Sequence, residues 1–131
     1  MLFRSTGQAA AWAAQRVTEE GIQRLRALAT DVEAHAGEGG IVDANWRFHR
    51  EIHRAAHSRR LMAQIRQAVR VVPSNFFAMF PEHEHNALDE HEALVSALAD
   101  GDAEKARHIA ERHVLDAGRS LAAWLEQATE G

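Results

Sequence analysis

Hydrophobic residues recur along the chain at helical spacing, and no alternating strand pattern with a hairpin turn interrupts them. Glycines, prolines and capping residues divide this pattern into segments. The segments predict helices over roughly 8–16, 18–35, 42–57, 59–80, 82–100 and 102–127. Only short loops separate them, so the sequence predicts a single all-α helical bundle spanning residues 1–131.

Individual residues set the predicted helix ends. Thr18 can cap the second helix, and Pro81 can open the fifth. Gly101 suits the position after a helix, and Asp102 suits the cap of the next one. Pro73 lies inside the fourth segment, where its ring and missing N–H should kink the helix or end it just before the proline.

Three of the predicted helices carry a histidine on the face that should be buried. Successive residues turn about 100° around a helix, so spacing shows which residues share a face. His91 lies at the centre of the apolar stripe of the fifth predicted helix, and His113 at the centre of a stripe that extends to Trp124 on the sixth. On the third, Asn45 lies in the middle of the stripe and His49 follows one turn later.

These positions indicate one shared metal ion. A buried imidazole needs a partner for each ring nitrogen, and an ion held between three helices would satisfy all three rings. Three imidazoles and an amide oxygen form a hard-to-borderline site that suits zinc, nickel, manganese or iron. The alternative interpretation is three unrelated core histidines, each with its own hydrogen-bond partner.

The remaining histidines are assigned to less central positions. His53 could form a rival i, i+4 pair with His49, but it lies at the edge of the stripe. His83 and His85 lie at the start of a helix, where we expect them at the surface. The polar faces hold three others, which are expected to be solvated: His35, His57 and His108.

The composition excludes several classes of protein. With 46% hydrophobic and 26% charged residues, the 131-residue chain is ordinary for a soluble globular domain. It has no cysteine, which excludes disulfides, thiolate metal sites and a cysteine nucleophile. The net charge of -4 argues against a free-standing nucleic-acid binder. No apolar run approaches the ~18 residues of a membrane span and no secretory signal opens the chain, so we expect a cytoplasmic protein.

Two segments carry a family resemblance. One is the stretch DANWRFHREIHRAAHSRRLMAQI, which is similar to the pattern (D/N)xxxFHxxixxAxxNxxL and has Asn45 and His49 on the motif. The other is DEHEALVSALADGDAEKARHIAERHV, which resembles eHxxlxxAixxgDxxxAxxxmxxHi and has His91 and His113 in register. Both patterns are typical of the FCD (FadR C-terminal) domain, the effector-binding half of one large branch of the GntR transcription regulators. The resemblance covers about residues 8–120.

The resemblance implies an antiparallel bundle of six or seven helices that senses a small molecule and is not an enzyme. Many members of the family hold a divalent metal through an aspartate or asparagine and three histidines. Carried onto this chain, the metal ligands are Asn45, His49, His91 and His113, with zinc first among the candidate ions. The family also implies a small carboxylate effector in a pocket beside the metal, and a homodimer whose arrangement on DNA responds to that effector.

The chain departs from the family in three places. We expect no winged-helix DNA-binding domain in it, and therefore no direct contact with nucleic acid. Leu2 and Thr6 occupy the places where the family usually has an arginine and a glutamate, of which the arginine helps to hold an anionic effector. Asn45 is neutral where many members have aspartate, which leaves more of the metal's positive charge for an anionic ligand.

The sequence leaves two alternative functions open, and it offers one candidate surface for the dimer. A metal with open positions could serve a hydrolase-like enzyme, for which Glu84 and Asp116 lie near the correct faces. A closed metal site could instead be structural, in a plain interaction module. For the dimer, the candidate surface is an apolar run whose side chains could equally line the pocket or the core: Val71, Val72, Phe76, Phe77, Met79 and Phe80.

Overall fold

The structure, a computed structural model, describes residues 2–37, 40–73 and 76–130. Its seven α-helices are α1 (Leu2–Arg16), α2 (Glu19–Ala34), α3 (Ile41–Ala55), α4 (Arg59–Ala68), α5 (Phe76–Met79), α6 (Pro81–Ala99) and α7 (Ala103–Glu130). A 3-10 turn, Val69–Val71, follows α4. No strand occurs in these ranges, so the prediction of an all-α helical bundle is confirmed.

Several positions in the sequence interpretation lie outside the described part of the chain. Glu38 and Gly39, in the loop predicted between the second and third helices, are two of them. The side chains of Leu2, Val71 and His85 are also outside it. What the sequence predicts for these side chains stays a prediction.

Capping residues begin and end the helices where the sequence predicts. At the start of α2, the Thr18 hydroxyl accepts a hydrogen bond from the Gly21 amide at 3.1 Å. Before α7, a carboxylate oxygen of Asp102 accepts one from the Lys105 amide, also at 3.1 Å. Gly101 lies between α6 and α7 with φ +69°, the left-handed conformation that lets the chain turn away after a helix.

The predicted fourth helix is two helices in the structure. α4 ends at Ala68, and after the 3-10 turn Val72 takes an extended conformation with φ -78° and ψ 123°. Proline disfavours the helical conformation of the residue before it, so Pro73 ends the helical path here. The four-residue α5 then leads to Pro81, the first residue of α6. The prediction that Pro73 kinks or ends the fourth helix is confirmed.

The first helix is longer than predicted, because it packs along α7. It begins at Leu2 rather than near Gln8. The side of α1 in the core is built from small residues, and five alanines are buried there: Ala9, Ala10, Ala11, Ala13 and Ala14. At Gly7 the two helices approach so closely that a Cβ atom would lie 2.5 Å from Cγ of Glu111 on α7. This tertiary contact stabilises a turn that local helix propensity does not predict.

The core lies between the longer helices and contains a histidine. The largest fully buried side chains are Phe48, Leu25, Leu98, His91 and Val32. Towards its C-terminus α7 leaves this core, and the side chains of Trp124 and Leu125 are 46% and 51% exposed. The prediction that Trp124 shares a buried face with His113 is therefore wrong, because the apolar stripe continues after the helix has left the bundle. None of the described helices combines the length and apolar composition that crossing a bilayer requires.

Candidate metal centre and ligand cavity

Three histidines from three helices meet at the edge of the core. His49 on α3, His91 on α6 and His113 on α7 each offer a ring nitrogen, and these nitrogens all lie within 4.8 Å of one another. The Nε2 atoms of His49 and His91 are 3.3 Å apart. Two nitrogens bound ~2.0–2.1 Å from one ion in a tetrahedral arrangement would also be about 3.3 Å apart. The rings therefore share one place, buried at His49 and His91 and partly exposed at His113, at a spacing that suits a common ion.

Asn45 lies one helical turn before His49 on α3 and is 8% exposed. Among the described residues, its side-chain oxygen Oδ1 has no hydrogen-bond partner, and the same is true of Nδ1 of His91. A buried polar atom that lacks a partner costs about 1–3 kcal/mol, so native proteins rarely leave one without a bound water or ion. Together with the three imidazoles, the amide oxygen makes a donor set that fits a borderline divalent ion.

A carboxylate supports the third histidine from outside the cluster. Oε2 of Glu90 on α6 lies 2.5 Å from Nδ1 of His113 on α7. A carboxylate in this position accepts a hydrogen bond from Nδ1–H and leaves Nε2, the opposite nitrogen, available to a metal. The sequence interpretation missed Glu90, although the family pattern quoted above has an acidic residue directly before the histidine that corresponds to His91.

Burial holds the deeper imidazoles in their neutral form. Desolvation lowers the pKa of His49 well below its usual 6.5, and repulsion from His91, His113 and His53 lowers it further. Burial, followed by repulsion from His113, lowers the pKa of His91 to about 3. Neutral imidazole is the form that binds metal, so at neutral pH His49 and His91 are in the protonation state that a ligand requires.

A cavity of about 480 Å³ adjoins the histidine cluster. Asn45, His49 and His113 form part of its wall. Most of the remaining wall is apolar, and it includes Trp46, Val72, Phe76, Phe77 and Leu121. The volume falls within the ~300–1,000 Å³ that is usual for small-molecule sites. Three of the four predicted metal ligands are therefore accessible from a space that is large enough for an effector.

Two histidines that the sequence placed elsewhere also line this cavity. His53 is 9% exposed and stacks on His49 with 6.4 Å between ring centroids, and burial lowers its pKa to about 4. It is not a member of the three-histidine cluster. His83, expected at the surface, is half-buried, and its Nε2 lies 2.7 Å from Oγ of Ser120. The surface prediction for His83 is wrong, because α7 runs beside the start of α6.

The apolar run considered as a dimer surface lies mainly inside the domain. Phe76, Phe77 and Phe80 are 8–9% exposed and belong to the core. Val72 lines the cavity together with the first two of these phenylalanines. For these described side chains the interpretation as a contact surface is therefore wrong, and its alternative, pocket and core, is correct. The homodimer itself stays a prediction.

Three further positions from the sequence interpretation have definite surroundings. Thr6, where the family usually has glutamate, is 8% exposed and lines the cavity. Glu84 accepts a hydrogen bond from the Gly37 amide. Asp116 forms an ion pair with Arg119 at 3.9 Å. The two carboxylates considered for an enzyme thus have partners outside the histidine cluster.

A comparison with protein-family models matches residues 6–116 to the model described as the FCD domain. The match covers most of the chain, and it includes all four residues that the sequence resemblance proposes as metal ligands. No curated protein matches the chain.

Proposed function

The chain belongs to the FCD domain family, and on that premise we propose that it senses a small carboxylate through a bound divalent metal ion. FCD domains are the effector-binding modules of GntR-type transcription regulators, so the domain is a module of transcription control. One observation carries the proposal for the metal and the acid. Three imidazoles and an unpartnered amide oxygen lie beside a cavity of ligand size.

The proposed ligands are His49, His91, His113 and Asn45, each supplied by a helix of the core. Packing fixes the rings before any ion binds: Phe48 is fully buried, with its ring centroid 4.3 Å from that of His91. Glu90 holds the proton of His113 on Nδ1, which leaves Nε2 as the nitrogen available to an ion. A site prepared in this way loses little side-chain entropy on binding. When bound, the ion supplies a fixed positive charge and open coordination positions for an anion.

The charge of the ligand set favours an anionic effector. All four proposed ligands are neutral when they bind, so none of them cancels the two positive charges of the ion. Glu90 is not a proposed ligand, but its carboxylate is hydrogen-bonded to His113 and offsets part of the ion's charge there. The remaining positive charge faces a cavity whose described lining contains no aspartate or glutamate. These charges favour an anion, and the family indicates that the anion is a carboxylate.

The further parts of the proposal follow from the family. We infer that the protein acts as a homodimer in the cytoplasm, that it is not an enzyme, and that it influences DNA through another domain or chain. Zinc is the first candidate for the ion, since it binds nitrogen and oxygen ligands and can expand from four ligands to five when an anion binds. Nickel, manganese and iron suit the same donors.

A thermal-shift experiment tests the proposal. The melting temperature of chelator-treated protein should rise on addition of Zn²⁺, and rise again when a carboxylate such as acetate is added. Ligands that bind only the folded state stabilise it by about 2.7 kcal/mol at one hundred times their Kd. Both rises should disappear in His91→Ala and persist in His108→Ala, since His108 is an exposed residue of α7. A carboxylate shift that survives complete removal of metal would contradict the proposed anchor.

A further inference from the structure

The residues that line the cavity differ between the level of the proposed metal ligands and the level of His83. At one level it contains the polar groups Asn45, His49 and His113. At another it contains His83, which is hydrogen-bonded to Ser120. Ser120 is seven residues beyond His113 on α7, and at 1.5 Å per residue the two levels are ~10 Å apart. The space therefore extends along the helices, away from the metal ligands.

The wall beyond the polar groups is apolar on several sides. Phe76 and Phe77 of α5 contribute to it, as does Val72 from the segment before α5. On α7, Leu121 lies next to Ser120 and also lines the cavity. An apolar surface of this kind gains about 25 cal/mol for each Å² of apolar area that a ligand removes from water. A ligand that reaches beyond the metal should therefore have a hydrocarbon body there.

A second carboxylate on the ligand would have no buried cation to pair with. Arg119 is the one lysine or arginine among the described residues of the wall, and its side chain is 72% exposed and paired with Asp116. An ionised carboxylate that is buried without a partner carries a large desolvation penalty. For a second carboxylate the described wall thus offers only the exposed Arg119, which is already paired with Asp116, whereas for a hydrocarbon body it offers the apolar side chains named above.

From these features we propose that the effector is a monocarboxylate with an apolar body, rather than a di- or tricarboxylate. The carboxylate lies at the metal held by the histidine cluster, and the body extends towards Phe77 and Leu121. At ~1.2 Å per bond in an extended chain, a distance of ~10 Å corresponds to about eight bonds. This inference rests on the proposed function, because the metal anchors the carboxylate.

Calorimetric titration of the Zn²⁺-loaded protein with three matched acids tests the proposal. Octanoate has the predicted length, suberate adds a second carboxylate at the same length, and acetate keeps only the anchor. Octanoate should bind at least ten times more tightly than either of the others. Equal or tighter binding of suberate or acetate would overturn the proposal while leaving the metal-anchored sensor intact. If Zn²⁺ binds but no acid does, both proposals fail.

A pair of substitutions on one helix gives an independent test. Leu121→Gln should weaken octanoate binding about tenfold and leave acetate binding unchanged, since it removes apolar wall and keeps a similar side-chain volume. Leu125→Gln is the matched control, because Leu125 is four residues further along α7, is 51% exposed and does not line the cavity. It should change neither affinity. An equal loss of octanoate affinity in both variants, or in neither, would contradict the placement of the ligand body.

Discussion

Glu90 and His113 connect two helices at the edge of the proposed metal site: Oε2 of Glu90 on α6 lies 2.5 Å from Nδ1 of His113 on α7. The histidine side chain is 19% exposed and the glutamate side chain 31%, so the contact lies near the surface rather than in the core. Because the two residues lie on different helices, the packing of α6 against α7 sets the orientation of the His113 ring. The other two histidines of the cluster are held by burial instead.

Removing this carboxylate should weaken metal binding without removing a ligand. A group that is hydrogen-bonded to the other ring nitrogen of a metal-binding histidine typically raises the metal affinity ten- to a hundredfold. Glu90→Gln should therefore lower the affinity for Zn²⁺ by about that factor in a competition titration. The matched control is Glu92→Gln, which makes the same change of charge at an exposed residue of α6. Similar losses in both variants would mean that general charge, rather than the contact with His113, sets the affinity.

The metal-free protein should become less stable on mild acidification. In the folded state burial lowers the pKa of His53 to about 4 and that of His91 to about 3, and lowers the pKa of His49 well below 6.5. The unfolded chain takes up these protons near pH 6.5, so it binds more protons than the folded chain below that pH. The free energy of unfolding should fall as the pH drops, by up to about 1.4 kcal/mol per pH unit for each histidine.

Urea unfolding in the presence of chelator measures this loss between pH 7.5 and pH 5. The midpoint should change little above pH 7 and decrease progressively below pH 6.5. His53→Asn should reduce the slope of that decrease, because it removes one of the buried titrating groups. His57→Asn serves as the control at an exposed histidine and should keep the wild-type slope. A constant free energy of unfolding down to pH 5 would show that these imidazoles are not held neutral.

Two glycines should respond in opposite directions to alanine. Gly118 lies within α7, where an added Cβ would meet no atom within 4 Å, so Gly118→Ala should stabilise the protein by about 0.5–1 kcal/mol. Gly101 has φ +69°, a conformation that costs an L-residue about 1–2 kcal/mol, so Gly101→Ala should destabilise it by that amount. Chemical denaturation of both variants measures the difference. Destabilisation by Gly118→Ala would contradict the open surroundings of that position.

The sequence predicted those features that depend on one helix at a time. Face periodicity placed His91 on a buried stripe and turned His113, which is 19% exposed, towards the same cluster. Capping chemistry located the helix starts at Thr18 and Asp102. It did not predict the role of Glu90, whose partner is on another helix.

The cavity could not be predicted from single helices either, because residues of several helices line it. His53 looked marginal on the stripe of α3, but the open space beside α4 and α5 gives that edge an apolar surrounding. His83 looked like a surface residue because nothing in the local sequence shows that α7 packs beside the start of α6. The cavity beside His53 and the burial of His83 both depend on the distance between helices, which the packing of the whole bundle sets.

The number of zinc ions bound per chain tests the central claim most directly. Competition titration of the chelator-treated protein with Zn²⁺ should give one ion per chain for the wild type. The His91→Ala protein, shown to be folded by circular dichroism, should give no ion at the same free Zn²⁺ concentration. An absence of bound ion in the wild type, or the same stoichiometry and affinity in His91→Ala, would contradict the metal site formed by Asn45, His49, His91 and His113.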